Sequence, residues 1–156
     1  MDDKSDDGSD SSKHHQRNRI SVEDYRDFIL DRPHILIDVR TEPEFEICSL
    51  DGSINIPLET IESNNSLDKV LKQIEKKTAT NDLPQNKSSC SEIHIILVCR
   101  RGNDSQTAKN ILEKQFGHES SVNQSLVKQK NNIKICDIIG GLEAWANRID
   151  STFAKY

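Results

Sequence analysis

Short apolar runs alternate along this chain with stretches whose apolar residues recur at helical spacing. Ile35-Leu36-Ile37-Asp38-Val39 is a run of strand type, dense enough to be buried on both faces. Ile93-His94-Ile95-Ile96-Leu97-Val98 and Ile133-Lys134-Ile135-Cys136-Asp137-Ile138-Ile139 predict two further strands, and Gly52-Ser53-Ile54-Asn55-Ile56-Pro57 alternates like a short one that ends at Pro57. Between them lie helical faces. Val22, Tyr25, Phe28 and Ile29 form the first, opened by Ser21 with Asp24 three residues on and closed by Pro33. Pro43-Glu44-Phe45-Glu46 suits a short helical turn, with Pro at a tolerated first position. Leu67, Val70, Leu71 and Ile74 make the next face, then Ala108, Ile111 and Leu112, then Leu142, Trp145 and Ile149 after a break at Gly140-Gly141. Strands alternating with helices predict an α/β fold, a central parallel sheet flanked by helices on both sides.

The pattern also marks where structure is not expected. Residues 1–19 are polar without hydrophobic periodicity and read as a disordered tail or linker, so the predicted domain spans 20–156. Two polar stretches inside it, about 77–91 and 117–132, read as flexible loops. The composition agrees: 33% hydrophobic and 30% charged residues describe one compact domain diluted by such segments. Asp2, Asp3, Asp6, Asp7 and Asp10 against Lys4 carry most of the net charge of -5. The near-neutral remainder offers no electrostatic case for direct nucleic-acid binding. No stretch has the apolar length of a membrane span, and the N-terminal stretch has neither a secretory apolar core nor the basic character of a mitochondrial presequence. The cysteines, Cys48, Cys90, Cys99 and Cys136, form no CxxC pair and no extracellular framework. That usage predicts reduced thiols in the cytoplasm and no metal site.

Cys99 carries the chemistry this pattern suggests. It follows a predicted strand and opens a short polar loop, Arg100-Arg101-Gly102-Asn103-Asp104, before a helix-like stretch from Ser105 to Leu112. A thiol at such a junction faces free backbone N–H groups and the positive end of a helix dipole, which favour a sulfur anion that can hold a further sulfur atom. Asp38 and Arg40 follow another buried strand, where sites in α/β sheets gather. They could orient the loop, although a structural ion pair is the stronger reading. Trp145 reads as core, and Cys90 and Cys136 as bystanders.

Four segments in order, Leu36-Ile37-Asp38-Val39-Arg40, Gly52-Ser53-Ile54-Asn55-Ile56-Pro57, Cys99-Arg100-Arg101-Gly102-Asn103-Asp104 and Gly140-Gly141-Leu142-Glu143-Ala144-Trp145, resemble the rhodanese domain, a sulfurtransferase fold. Together they span nearly all of Ile20–Tyr156. The loop followed by Ser105-Gln106, the Phe45-Glu46-Ile47-Cys48 region and the ending through Phe153 to Tyr156 are most similar to the C-terminal rhodanese domain of eukaryotic adenylyltransferase–sulfurtransferases. The resemblance implies sulfur supply to ubiquitin-like sulfur carrier proteins, for tRNA thiolation and for molybdopterin synthase. It implies a cysteine desulfurase or other persulfide donor. It also implies an adenylating domain in a parent chain, to which ATP and zinc would belong; no cofactor is expected here. Nothing in this sequence matches that domain, so a domain piece or a stand-alone relative is expected, with residues 1–19 fitting an interdomain linker.

What the resemblance implies for mechanism is nucleophilic transfer at one sulfur, with Cys99 as the catalytic residue. Arg100, Arg101, Gly102, Asn103, Asp104 and Ser105 would form the loop that cradles the anionic sulfur, Gly102 letting the backbone turn. Arg100 and Arg101 would favour the anion or attract an adenylate phosphate, or else be solvated surface side chains. Thiosulfate-using rhodaneses commonly carry a basic or hydroxyl residue where this chain has Asp104. An acidic side chain there should repel a dianionic donor and favour a protein persulfide. Asp104 or Asn103 could equally cap the following helix. Cys48 is weighed as a resolving thiol and held to be a bystander. Rival functions are a single-domain thiosulfate sulfurtransferase and a non-catalytic binding module. A phosphatase of the related kind needs an arginine six residues after the cysteine, where this chain has Ser105.

Overall fold

The computed structural model describes residues 18–63, 66–80, 92–118 and 133–155. Among the described residues five strands form one sheet: β1 (Arg19–Ile20), β2 (His34–Asp38), β3 (Ile54–Asn55), β4 (Ile93–Val98) and β5 (Ile133–Ile138). Their order is β1-β5-β4-β2-β3 and every pairing is parallel. The helices are α1 (Val22–Asp24), which runs on as a π-type turn over Tyr25–Ile29, α2 (Glu42–Ile47), α3 (Leu58–Glu62), α4 (Ser66–Ala79), α5 (Asp104–His118) and α6 (Gly141–Arg148).

The period-two geometry of a strand sends alternate side chains to opposite faces. Ile35, Ile37, Ile95, Leu97 and Ile135 therefore join one buried cluster with Ile61 of α3, Val70 and Ile74 of α4, and Ala108 and Leu112 of α5. Leu36, Ile96, Val98, Cys136 and Ile138 face the other way and join Val22, Tyr25 and Leu142. The expected two-sided burial of the sheet follows from these two clusters.

Five details differ from the sequence expectation. Arg19, placed in the tail, is in β1 and pairs opposite Asp137. The first helical segment widens into a π-type turn, where the Leu30 N–H donates to the Tyr25 carbonyl at 2.8 Å. Helix α4 continues to Ala79 and α5 to His118, so both polar stretches begin later than expected; residues 81–91 and 119–132, like 1–17, lie outside the described residues. Helix α3 was not expected: the Pro57 carbonyl, at the end of the predicted strand, accepts from Thr60 and Ile61 and starts a helix too short for periodicity to show. No helix among the described residues is long and apolar enough to cross a membrane.

The chain leaves β2 towards the β3 edge and β4 towards the β5 edge. The reversal lies between β2 and β4, so residues at and just beyond the carboxyl ends of those two strands flank the resulting crevice. Asp38 and Arg40 stand on one side of it and Cys99 on the other.

Candidate active site

Cys99 directly follows the last residue of the central strand and is 2% exposed. Its sulfur has two polar neighbours. The Gly102 N–H donates to Cys99 Sγ at 3.0 Å, and Ser105 Oγ lies 3.4 Å away. Ser105 is wholly buried in the first turn of α5, so its hydroxyl is committed to this interior rather than to solvent. Gly102 is also buried, whereas Arg101, Asn103 and Asp104 are exposed. The loop thus turns one backbone N–H and one hydroxyl inward: the Gly102 N–H donates to the sulfur, the Cys99 S–H donates to the Ser105 hydroxyl oxygen, and the same hydroxyl can turn to donate to a sulfur anion.

Two glycines make the turn possible. Gly102 has φ +91, and a Cβ there would lie 2.7 Å from the Gly140 nitrogen and 3.3 Å from the Ile138 carbonyl. Gly141, at φ +58, lies directly against the carbonyls of Cys99 and Arg100. That closeness lets the first turn of α6 hold the loop. The Leu142 N–H donates to the Cys99 carbonyl and the Glu143 N–H to the Arg100 carbonyl, each at 2.9 Å. The break at Gly140-Gly141 is therefore beside the loop, and the helix N-terminus that follows it supplies donors that would otherwise be left unpaired.

The charged candidates divide. Asp38 and Arg40 form a buried ion pair at 2.7 Å, with side chains 0% and 2% exposed. Arg40 also donates to the Cys48 carbonyl at 2.6 Å, and the Asn55 amide donates to the carbonyls of Asp38 and Arg40. This network ties β2 to β3 and to the end of α2, which fits the structural reading of the pair. Asn55 is a member the sequence reading missed. Arg101 pairs with Glu143 at 3.0 Å on an exposed surface, a contact of small energetic weight. Arg100 lines a cavity of about 80 Å³ between the loop and α6, with Leu142, Glu143 and Lys155. Asp104 is the exposed first residue of α5.

The other cysteines differ from Cys99. Cys136 is buried in β5, and burial pushes its thiol pKa up. Cys48 is half-buried at the end of α2, its sulfur 3.9 Å from the Ala154 carbonyl. Cys90 lies outside the described residues. Among the described residues no three His, Cys, Asp or Glu side chains gather where a metal ion could be held.

Residues 21–148 match the rhodanese-like domain. The chain belongs to that family. This rhodanese domain is 37% identical over 138 residues to the adenylyltransferase and sulfurtransferase MOCS3 of Drosophila ananassae, and 41% identical over 140 residues to that of Danio rerio. Each match covers 88% of this chain but only 24% and 27% of the respective relative. The rhodanese domain thus spans about a quarter of the length of the curated relatives it matches. Among solved structures, the human single-domain sulfurtransferase TSTD1 aligns with a TM-score of 0.54 at 18% identity, covering 84% of this chain and 96% of that one. The yeast protein Ygr203w, a protein tyrosine phosphatase of the rhodanese family, aligns with a TM-score of 0.59 at 10% identity, covering 83% and 84%. At such identities the likeness is one of fold, not of chemistry.

Proposed function

We propose that this rhodanese domain is a sulfurtransferase that carries sulfane sulfur as a persulfide on Cys99 and delivers it to the C-terminus of a ubiquitin-like sulfur carrier. The observation that carries the proposal is the inward pair of polar groups at Cys99 Sγ, the Gly102 N–H and the Ser105 hydroxyl, in a chain 37% and 41% identical to proteins named for sulfur transfer. In the first step the Cys99 thiolate attacks the outer sulfur of a donor persulfide. A new S–S bond forms at Cys99, the donor S–S bond breaks, and the donor leaves as a thiolate. In the second step the outer sulfur attacks an acyl-adenylated carrier C-terminus. A C–S bond forms and adenylate leaves; a thiol from outside this chain then attacks the Cys99 sulfur, the thiocarboxylate leaves as the S–S bond breaks, and a second such thiol reduces the resulting mixed disulfide to restore the Cys99 thiolate. The adenylate is supplied by a separate activating domain, which fits the share of the relatives that this chain spans. The proposal extends to a role in tRNA thiolation and molybdopterin synthesis in the cytoplasm, as the resemblance to the adenylyltransferase–sulfurtransferase group implies.

Asp104 supports a protein persulfide as donor. A carboxylate exposed at the start of α5, on the loop around the sulfur, repels dianionic thiosulfate. A phosphatase reading is disfavoured, because the position of its phosphate-clamping arginine is held by Ser105, wholly buried against the sulfur.

The test is mass spectrometry after incubation with a persulfidated cysteine desulfurase. One added sulfur atom on the Cys99 peptide, absent in Cys99→Ala, is expected. Sulfur on another cysteine, or none, would defeat the proposal.

A further inference from the structure

Arg19 was expected in a disordered tail, and it lies outside the residues that match the family. In the fold it reaches the sulfur-holding loop. Strand β1 is two residues long, yet it is bonded to β5 at both of its ends: the Asp137 N–H donates to the Asn18 carbonyl at 3.2 Å and the Ile139 N–H to the Ile20 carbonyl at 2.8 Å. This places Arg19 directly opposite Asp137. Arg19 Nε donates to both oxygens of Asp137, at 3.2 and 3.0 Å, and Nη2 donates to the second oxygen at 2.9 Å. Asp137 is 0% exposed and the Arg19 side chain 19%. A buried carboxylate needs such a partner, so the ion pair alone has a structural explanation.

The fourth bond does not follow from that need. Arg19 Nη2 also donates to the Gly102 carbonyl at 3.1 Å. Gly102 is the residue whose own N–H meets Cys99 Sγ at 3.0 Å. Its φ of +91 is held with the Gly140 backbone packed behind it. The residue is thus gripped at its carbonyl by the guanidinium and presents its N–H to the sulfur. Without a side chain, Gly102 depends on such backbone and guanidinium contacts to resist rotation of its two flanking peptides.

We propose that Arg19 is a positioning residue for the reacting sulfur: anchored on Asp137, its guanidinium holds the Gly102 carbonyl so that the Gly102 N–H stays aimed at Cys99 Sγ. Arginine suits the task because its planar fork serves a carboxylate and a carbonyl at once, whereas a lysine ammonium keeps the charge but not the fork. The proposal rests on Cys99 being the reactive sulfur, and it deepens that reading by bringing the N-terminal strand into the site.

The test compares wild type, Arg19→Lys and Ile20→Val, the last trimming the same strand without touching the guanidinium. Two readouts are taken at one pH: the rate at which iodoacetamide alkylates Cys99, followed by mass spectrometry of its peptide, and the amide-proton resonance of Gly102. In Arg19→Lys the rate is expected to fall about tenfold, the scale of one hydrogen bond to a charged sulfur, and the Gly102 resonance to move upfield. Ile20→Val should match wild type in both. If Arg19→Lys does not fold, the neutral pair Arg19→Gln with Asp137→Asn allows an amide–amide hydrogen bond across the strands, lacks the guanidinium, and should show the same two changes. Alkylation does not depend on any donor or carrier, so a wild-type Cys99 that alkylates but accepts no sulfur defeats the proposed function and not this inference. An unchanged rate, or an unmoved Gly102 resonance, in the folded Arg19 variant overturns it.

Discussion

Replacing Gly141 by alanine tests whether the first turn of α6 holds the sulfur loop. The residue has φ +58, so any side chain there carries the strain of a left-handed backbone, about 1 kcal/mol. Gly52, at φ +76 with nothing within 4 Å of an added Cβ, carries the same strain and no contact. The two substitutions therefore differ in what the methyl group meets. At Gly141 it meets the backbone of Cys99 and Arg100, with the Arg100 carbonyl oxygen at 2.7 Å. Those carbonyls accept the Leu142 and Glu143 N–H bonds at 2.9 Å, so relieving the clash lengthens both. Each such bond contributes about 1 kcal/mol, so Gly141→Ala should cost about 3 kcal/mol against about 1 for Gly52→Ala. Urea unfolding followed by Trp145 fluorescence reports on this, since Trp145 lies on α6 itself and packs edge-on against Tyr25. With a denaturant slope of about 2 kcal/mol per molar, the extra loss is a midpoint about 1 M lower than that of Gly52→Ala. Sulfur loading of Cys99 should fall in Gly141→Ala and stay at the wild-type level in Gly52→Ala. Coincident midpoints for the two variants would refute the argument, because strain alone would then account for both.

Asp104→Arg should raise thiosulfate turnover by reversing the charge met by a dianionic donor; an unchanged or lower rate in a cyanide-coupled assay would count against the electrostatic account of donor choice. Asp38→Ala strands the Arg40 cation in the interior and should cost about 3–5 kcal/mol in thermal or urea unfolding, with much of the loss recovered in Asp38→Ala/Arg40→Met; a single variant as stable as wild type would show that the pair is not needed by the fold. Ser105→Ala should slow sulfur acceptance at Cys99 severalfold while shifting the melting temperature little, since one hydroxyl contact at 3.4 Å is lost; equal rates would remove Ser105 from the site. His94 gives a pH dependence. Burial, first among its causes, lowers its pKa from the ordinary 6.5. The unfolded chain then takes up the proton first, so this contribution is intact above pH 6.5 and is lost as pH falls through that value towards the folded pKa. Unfolding midpoints should drop between pH 7 and 5.5 in wild type and less in His94→Gln; parallel profiles would exclude His94 as the cause.

Much of this architecture was legible in the chain because it rests on local patterns. Short runs rich in Ile, Leu and Val make β2, β4 and β5, and a glycine pair just past a strand end marks a turn. Cys99 could be singled out because strand, cysteine, polar loop and helix are adjacent in sequence. Elements that were missed had no such pattern. Helix α3 is five residues long and starts just after Pro57, its N-cap, which reads as easily as the end of a strand. The ends of α4 and α5 are polar, and polar residues extend a helix as readily as they form a loop.

The sequence by itself determined the α/β class, the faces that bury and the cysteine at the end of the central strand, since each depends on residues within a few positions of one another. The tertiary structure decided what surrounds that sulfur. Gly102 is shaped by Gly140, the loop is held by α6, and the guanidinium on the Gly102 carbonyl comes from Arg19, 83 residues earlier. Its anchor, Asp137, is 118 residues from it. Contacts across such separations leave no periodicity to read, because a hydrogen bond depends on where folding brings two groups and not on how far apart they lie along the chain.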